Sequence, residues 1–220
     1  KIKDNSNFTL RGLSKQIYEG LATGRDTIFF VDGDTIRKYN LERQLLKRQL
    51  KGKDVKKWRI SWKDLWTIYP YKRSRDGKII AILENELRSK YPNTWKYLLE
   101  RKDLCEKRKY LIKAKRKWYE IWCPRDPSWF EVPKLLVPEI SKENCFAYDK
   151  EHFYVNTKIY GITLKKTYVK LYLLILGLLN SKITEFYYKL MSVPKAGGFY
   201  AYKTQFLQHI PIKIPRTPED

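Results

Sequence analysis

Hydrophobic and polar positions change their spacing twice along this chain, and the changes divide it into a strand-rich start, a helical middle and a mixed end. Leu13 to Tyr18 reads as a short helix or turn, and Gly20 and Gly24 bracket the next turn. Thr27-Ile28-Phe29-Phe30-Val31 is β-branched and aromatic, the composition of a buried strand. Asp32-Gly33-Asp34 predicts a tight turn, and Thr35 to Tyr39 a second strand-like piece. Leucines alternate with lysines and arginines over residues 41–57, and Trp58 to Trp62 and Leu65 to Tyr69 read as strands closed by Pro70. From Ile79 to about Tyr119 the spacing is helical, with Ile82, Leu83, Leu87, Trp95, Leu98, Leu99, Tyr110 and Leu111 recurring every three to four residues. Pro92 is placed to open a second helix within that segment.

Strand signals return at Lys134-Leu135-Leu136-Val137. Cys145 to Tyr148 and Phe153 to Val155 suggest a hairpin around Asp149-Lys150-Glu151, and Tyr160 to Leu164 continues the sheet. Tyr172 through Leu179 to Tyr187 reads as one buried helix, followed by a flexible turn at Val193 to Tyr200 and an extended apolar end at Ile210 to Pro215. The expected fold is α+β: an antiparallel or mixed sheet, a long helical segment in the middle and a late buried helix, in a single domain spanning residues 1–220. The longest apolar run, Leu171 to Leu179, is far shorter than the roughly 18 residues of a membrane span, so no membrane partner is expected.

Charge alters this picture. Forty-six lysines and arginines against 24 acids give a formal charge of +22, alongside 15% aromatic residues. A disordered basic tail lacks seven tryptophans, whereas a folded domain this positive repels itself and usually answers to a polyanion. Three scattered cysteines and two histidines give neither a disulfide framework nor a zinc set, which fits a reducing, cytoplasmic setting. The chain starts without Met on mixed polar sequence, from which we expect a piece of a larger polypeptide and no signal peptide.

No catalytic constellation survives a spacing test. The sole Glu-x-Lys, Glu100-Arg101-Lys102, falls in a predicted helix, and Gly197-Gly198 precedes aromatics rather than a P-loop lysine. The Asn/Asp-Pro-Pro-Tyr/Phe run that would hold a flipped base amine is absent, because the chain has no Pro-Pro pair. What recurs is basic residues among aromatics in turn-prone segments. The candidates for DNA contact are Lys72, Arg73 and Arg75 in one loop, and Arg116, Lys117 and Arg125 around the end of the helical region. Lys195 and Lys203 flank a third turn, with Tyr200 and Tyr202 as base or sugar contacts. Solvated loops, helix-dipole complementation and core packing of the tyrosines stand beside that reading.

In order, Gly20-Leu21-Ala22-Thr23-Gly24, Phe30-Val31-Asp32, Leu50-Lys51-Gly52-Lys53-Asp54-Val55 and Ile68-Tyr69-Pro70-Tyr71 resemble the TaqI-like C-terminal specificity domain. So do Trp95-Lys96-Tyr97-Leu98 with Leu104 and Arg108, Trp118-Tyr119 before Pro124-Arg125, and Lys134 to Ile140. Leu178 to Lys182 with Phe186-Tyr187-Tyr188 and the close Phe206-Leu207, Ile210-Pro211-Ile212 complete the set. One departure is Asp26, where the family pattern suggests asparagine. The resemblance implies the target-recognition domain of a type IIG restriction-modification enzyme or N6-adenine DNA methyltransferase. Its partners are then double-stranded DNA and an N-terminal methyltransferase domain of the same polypeptide, which would bind S-adenosylmethionine. The piece itself is expected to be non-catalytic, with no cofactor or metal, while the parent methylates adenine and the question of a fused endonuclease stays open. An RNA or single-strand binder, and a subunit-docking module without base readout, remain as alternatives.

Overall fold

The apolar run Leu135-Leu136-Val137 forms the middle of the strand Lys134–Pro138 in the computed structural model, which describes Ile2 and residues 6–215. All five residues of this strand are buried, as a strand covered on both faces requires. It pairs antiparallel with Ala147–Asp149 on one side and Ile159–Leu164 on the other. Ser14–Glu19 then adds to Ile159–Leu164 and completes a four-stranded sheet. Tyr172, Ile175 and Leu179, one face of the helix Tyr172–Leu179, share a core with Leu135, Val137, Phe146 and Ile162. Gly20 comes directly after the strand Ser14–Glu19, where a Cβ would lie 2.3 Å from the carbonyl oxygens of Val155 and Asn156, so only glycine lets these backbones approach. This sheet belongs to a compact unit made, among the described residues, of those up to Gly20, Leu50–Ser61 and those from Ser128 to Pro215.

Leu21–Gln49 and Trp62–Pro127 form a second unit. Its strand Leu65–Ile68 pairs antiparallel with Phe30–Asp32 and with Leu46–Leu50. Later in this unit come four short helices: Glu84–Lys90, Pro92–Leu99, Lys102–Glu106 and Lys109–Lys113. Pro92 occupies the first turn of its helix, as the sequence predicts. The carboxylate of Glu42 accepts hydrogen bonds from the Asn93 and Thr94 N–H groups at 2.9 and 2.8 Å, filling the acceptor role of a cap. With antiparallel pairing in the sheets described above and helices beside them, the fold is α+β.

Several elements differ from the pattern-based expectation. The helical middle is four short helices rather than the two expected on either side of Pro92, and it starts later, because Ile79–Ala81 pairs as a strand with Tyr71–Arg73. Thr27 to Phe29 lies in the one-turn helix Asp26–Phe29, and the strand is confined to Phe30–Asp32. Thr35 to Tyr39 is helical: Asp32 caps Gly33–Tyr39 by accepting from the Thr35 N–H at 2.8 Å, and Asn40 ends it in the left-handed conformation. The expected hairpin around Asp149-Lys150-Glu151 is replaced on its first side, since Ala147–Asp149 pairs with Lys134–Pro138.

The late helix is two helices, Tyr172–Leu179 and Lys182–Met191. Asn180 breaks them apart: its side chain accepts from the Phe146 N–H and donates to the Phe146 carbonyl, both at 2.9 Å, and Ser181 caps the second helix. Nor is that second helix buried on its apolar side. Thr184, Glu185 and Tyr188 face inward, while Ile183, Phe186 and Leu190 are 66%, 62% and 71% exposed. Among the described residues no helix is long and apolar enough to cross a membrane. Lys1, Lys3, Asp4 and Asn5, the polar start, lie outside the described residues, as do residues 216–220.

Candidate nucleic-acid interface

The residues Lys51 to Lys57, a basic run in the sequence, fold back as a 3₁₀ turn and the short hairpin Val55–Lys56 and Arg59–Ile60. The turn is fixed by Asp54, whose carboxylate accepts from the Lys51 N–H at 2.7 Å. That folding places Lys53, Lys56 and Lys57 along a cleft of about 520 Å³, whose lining also includes Lys158, Ile140 and Phe199. Glu139 and Glu143 are the acids of this cleft. Glu139 holds Lys158 at 2.9 Å and reaches Lys203 at 3.5 Å, and Glu143 lies 3.5 Å from Lys57. Lys53 and Lys56 are exposed and have no ion-pair partner among the described residues. Two uncompensated ammonium groups on a concave wall suit a phosphate backbone.

Beside the cleft, Pro194–Lys195, Phe199–Ala201 and Ile140–Ser141 form a three-stranded antiparallel sheet. Gly197 and Gly198, with φ of 74° and 76°, make the tight return between the first two strands. The expected flexible turn is therefore the tip of an ordered sheet. Lys195 is exposed on it, Lys142 sits 5.1 Å above the Phe199 ring, and Lys189 sits 5.5 Å above that of Tyr200. Tyr200 is half-buried. Tyr202 has no surface to offer DNA: it is 0% exposed and stacks on Tyr188 at 4.5 Å with an 8° interplanar angle. Its hydroxyl donates to Asn144 at 2.9 Å, and burial pushes its pKa far above the ordinary tyrosine value. Core packing is the role of Tyr202.

In the other unit the candidates part ways. Lys72 and Arg73 lie on a hairpin strand and Arg75 at its tip, where Gly77 takes a φ of 81°. Lys72 is ion-paired with Glu86, whose carboxyl the Lys72 hydrogen bond holds below its usual range. Arg73 donates to Asp126 at 2.8 Å and to the Gly77 carbonyl. Arg75 is exposed and carries no such partner among the described residues. Arg116 is a structural group: it donates to Glu120 at 2.8 and 3.0 Å, to the Tyr71 hydroxyl at 3.0 Å and to the Trp122 carbonyl. Burial opposes its charge, but Glu120 and Tyr71 more than compensate and raise its pKa. Lys117 is exposed with its ammonium 5.7 Å over Tyr119, and Arg125 turns through a φ of 58° while its carbonyl accepts from the Tyr69 hydroxyl at 2.7 Å. Arg108, which the sequence pattern marks without giving it a role, is 3% exposed and donates to the carbonyls of Thr23, Glu120, Cys105 and Trp118.

Pattern reading therefore missed Lys53, Lys56, Lys57, Lys142 and Lys158. The available signal was the basic run Lys51 to Lys57 ending on Trp58, the same mixture of cations and aromatics that marks the other loops. Among the described residues no group of histidine, cysteine and acidic side chains could hold a metal ion.

Comparison with known proteins gives a consistent set. The family model described as the TaqI-like C-terminal specificity domain matches residues 47–212. The type II methyltransferase M.BanIII of Aneurinibacillus aneurinilyticus is 31% identical over 228 residues, covering 97% of this chain and 37% of its own length. M.PaeR7I of Pseudomonas aeruginosa is 25% identical, with 90% and 32% covered, and M.MjaIV of Methanocaldococcus jannaschii 28%, with 98% and 69% covered. The chain thus spans about a third of the length of the first two relatives. The solved structure of the type IIL restriction-modification enzyme MmeI in complex with DNA shares the fold, at a TM-score of 0.60 and 14% identity over 93% of this chain and 25% of that one.

Proposed function

The chain belongs to the family of TaqI-like C-terminal specificity domains, and from that premise we propose that it binds duplex DNA and selects the site at which an adenine-N6 methyltransferase acts. The observation that carries this reading is the lysine-lined cleft, in which Lys53 and Lys56 have no ion-pair partner among the described residues, in a chain of +22. Phosphate contacts from Lys53, Lys56 and Lys195 would set register on the duplex. Arg75, at a hairpin tip, is the candidate for paired hydrogen bonds to a guanine edge. Both units serve this one task in the proposal, as a single specificity domain.

Methyl transfer belongs elsewhere in the protein. S-adenosylmethionine supplies the methyl group in such enzymes, but the residues here do not suit it. The strand pairs described above are antiparallel, not the parallel sheet with a glycine-rich first turn that holds such nucleotides. We assign it to an N-terminal methyltransferase domain of the same polypeptide, consistent with relatives that are methyltransferases about three times as long as the matched region. The exposed stripe of Ile183, Phe186 and Leu190 supplies a surface on which that domain can dock. Free cysteines at positions 105, 123 and 145 accord with a cytoplasmic setting.

Electrophoretic or anisotropy titration of mixed-sequence duplex DNA at stepped salt concentrations tests the reading. A log–log slope of about −0.9 per phosphate neutralised is expected, giving several log units for ~6 contacts. Affinity indifferent to salt, or single strands outcompeting duplex of the same sequence, would remove it.

A further inference from the structure

Six of the seven tryptophans have a structural or packing role. Trp62 and Trp66 meet edge to face at 5.4 Å, Trp95 packs on Trp118, Trp122 on Tyr110, and Trp129 on Tyr18. Trp58 differs. It is 53% exposed, and its indole makes no hydrogen bond or ring contact among the described residues.

Its backbone differs as well. Val55 pairs with Ile60 and Lys56 with Arg59, so Lys57 and Trp58 are the two central residues of a hairpin turn. Trp58 alone of these two has positive φ, at 73°. That second central position is where glycine or asparagine normally sits, because a Cβ clashes there. Among the non-glycine residues with positive φ in the described chain, Trp58 is the only large apolar one. The turn is pinned, since the Trp58 N–H donates to the carbonyl of buried Phe146 at 2.9 Å. A large ring is thus held outward, in a strained conformation, on an anchored tip. Strain of this kind persists where the surroundings over-determine it, and it clusters at ligand contacts. The flanking residues Lys56, Lys57 and Arg59 are all cationic, and Lys56 and Lys57 belong to the cleft.

We propose that Trp58 is a stacking contact for a nucleobase: the hairpin tip lays the indole against an unstacked or kinked base step of bound DNA, while Lys56 and Arg59 neutralise the adjoining phosphates. This rests on the duplex-binding reading above and adds a ligand class and a residue to it. An aromatic face accepts any base, so the contact supplies affinity and a preference for deformable steps rather than a base code.

The decisive variant is Trp58→Gly. Glycine adopts φ of 73° freely, so the fold should melt at the same temperature or higher, whereas DNA affinity should fall roughly 5- to 150-fold, the range for removal of a stacked aromatic. These opposite signs separate a binding role from a structural one. The salt slope should be unchanged, because the substitution removes no charge. Trp58→Phe, which keeps a ring, should retain most of the affinity. The full chain is titrated with a mixed-sequence duplex, intact or carrying one central mismatch, and the wild type should favour the mismatched duplex. Unchanged affinity in Trp58→Gly, or a Trp58→Phe loss as large as the glycine loss, overturns the stacking role alone. A wild type that binds duplex without salt dependence overturns both this inference and the duplex-binding reading beneath it.

Discussion

Lys134 and Asp149 stand opposite each other across neighbouring strands of the central sheet, with Nζ and Oδ2 2.5 Å apart and both side chains fully buried. Each is satisfied further. Lys134 donates to the Phe130 carbonyl at 2.7 Å, and Asp149 accepts from the N–H groups of Glu151 and Phe153 at 2.8 and 2.9 Å. Removing one partner strands a buried charge. We expect Lys134→Met to cost about 3 kcal/mol and Asp149→Ala nearer ~5 kcal/mol, because the latter also orphans two backbone donors. Denaturant unfolding measures both. Losses of less than ~1 kcal/mol for either would mean that water reaches the pair.

Arg108 does for the second unit what the ion pair does for the first. Its guanidinium serves four carbonyls, that of Cys105 in the preceding helix and those of Trp118, Glu120 and the distant Thr23, and lies 5.0 Å over the Phe29 ring. Burial lowers its pKa, yet arginine stays charged where lysine would surrender its proton. Arg108→Met should therefore destabilise the fold by about 3 kcal/mol or more, with Arg108→Lys only partly restoring it. Full rescue by lysine in thermal melts would contradict the fork geometry as the reason.

Sequence pattern made much of this legible, and its failures have local causes. The strand Lys134–Pro138 and the helix start at Pro92 were readable because a continuous apolar run and a proline each leave few options. Gly33 suggested a turn, but Asp32 as an N-cap and Asn40 as a left-handed stop decide for a helix. The break at Asn180 was invisible because it depends on hydrogen bonds to Phe146, 34 residues away. Site residues were harder. A lysine's type is visible in sequence, but its ion-pair partner is not: Lys72 and Lys203 have carboxylates, whereas among the described residues Lys53 and Lys56 do not.

That distinction predicts unequal effects of charge removal. Lys53→Gln with Lys56→Gln should flatten the salt dependence of duplex binding by about 2 in the log–log slope, near ~0.9 for each phosphate no longer neutralised. Arg116→Gln should barely move the slope but should lower thermal stability, since its bonds run to Glu120, Tyr71 and Trp122. Equal slopes for the double variant and wild type would place the phosphate track away from this cleft.

Glu185 gives a pH dependence. Burial opposes its charged form, but Lys189 at 2.7 Å, with Lys182 and Lys57, outweighs that and lowers its pKa. A carboxyl whose folded pKa lies below its unfolded one contributes stability above the unfolded value and loses it as pH falls toward the folded one. Wild type should therefore lose more stability than Glu185→Gln on acidification through the ordinary carboxylate range. Parallel pH profiles for the two proteins would show that Glu185 contributes nothing to acid sensitivity.

The same helix, Lys182–Met191, carries the last prediction. An amphipathic helix ordinarily turns its apolar stripe to the core, yet here Thr184, Glu185 and Tyr188 point in and Ile183, Phe186 and Leu190 point out, at the i, i+3, i+7 spacing of one face. Three large apolar groups in water stabilise nothing within the unit, so Phe186→Ser with Leu190→Gln should shift the stability of this chain by no more than about 0.5 kcal/mol. DNA affinity should also hold, since neither residue carries charge. In the whole protein the outcome should differ: if the methyltransferase domain covers this stripe, the double variant exposes the opposing surface too. It should then lower methylation and split one unfolding transition into two, while DNA binding by the specificity domain persists. An unchanged single transition and unchanged methylation would leave the stripe uncovered in the whole protein, and the docking assignment would fall without touching the cleft proposed to bind DNA.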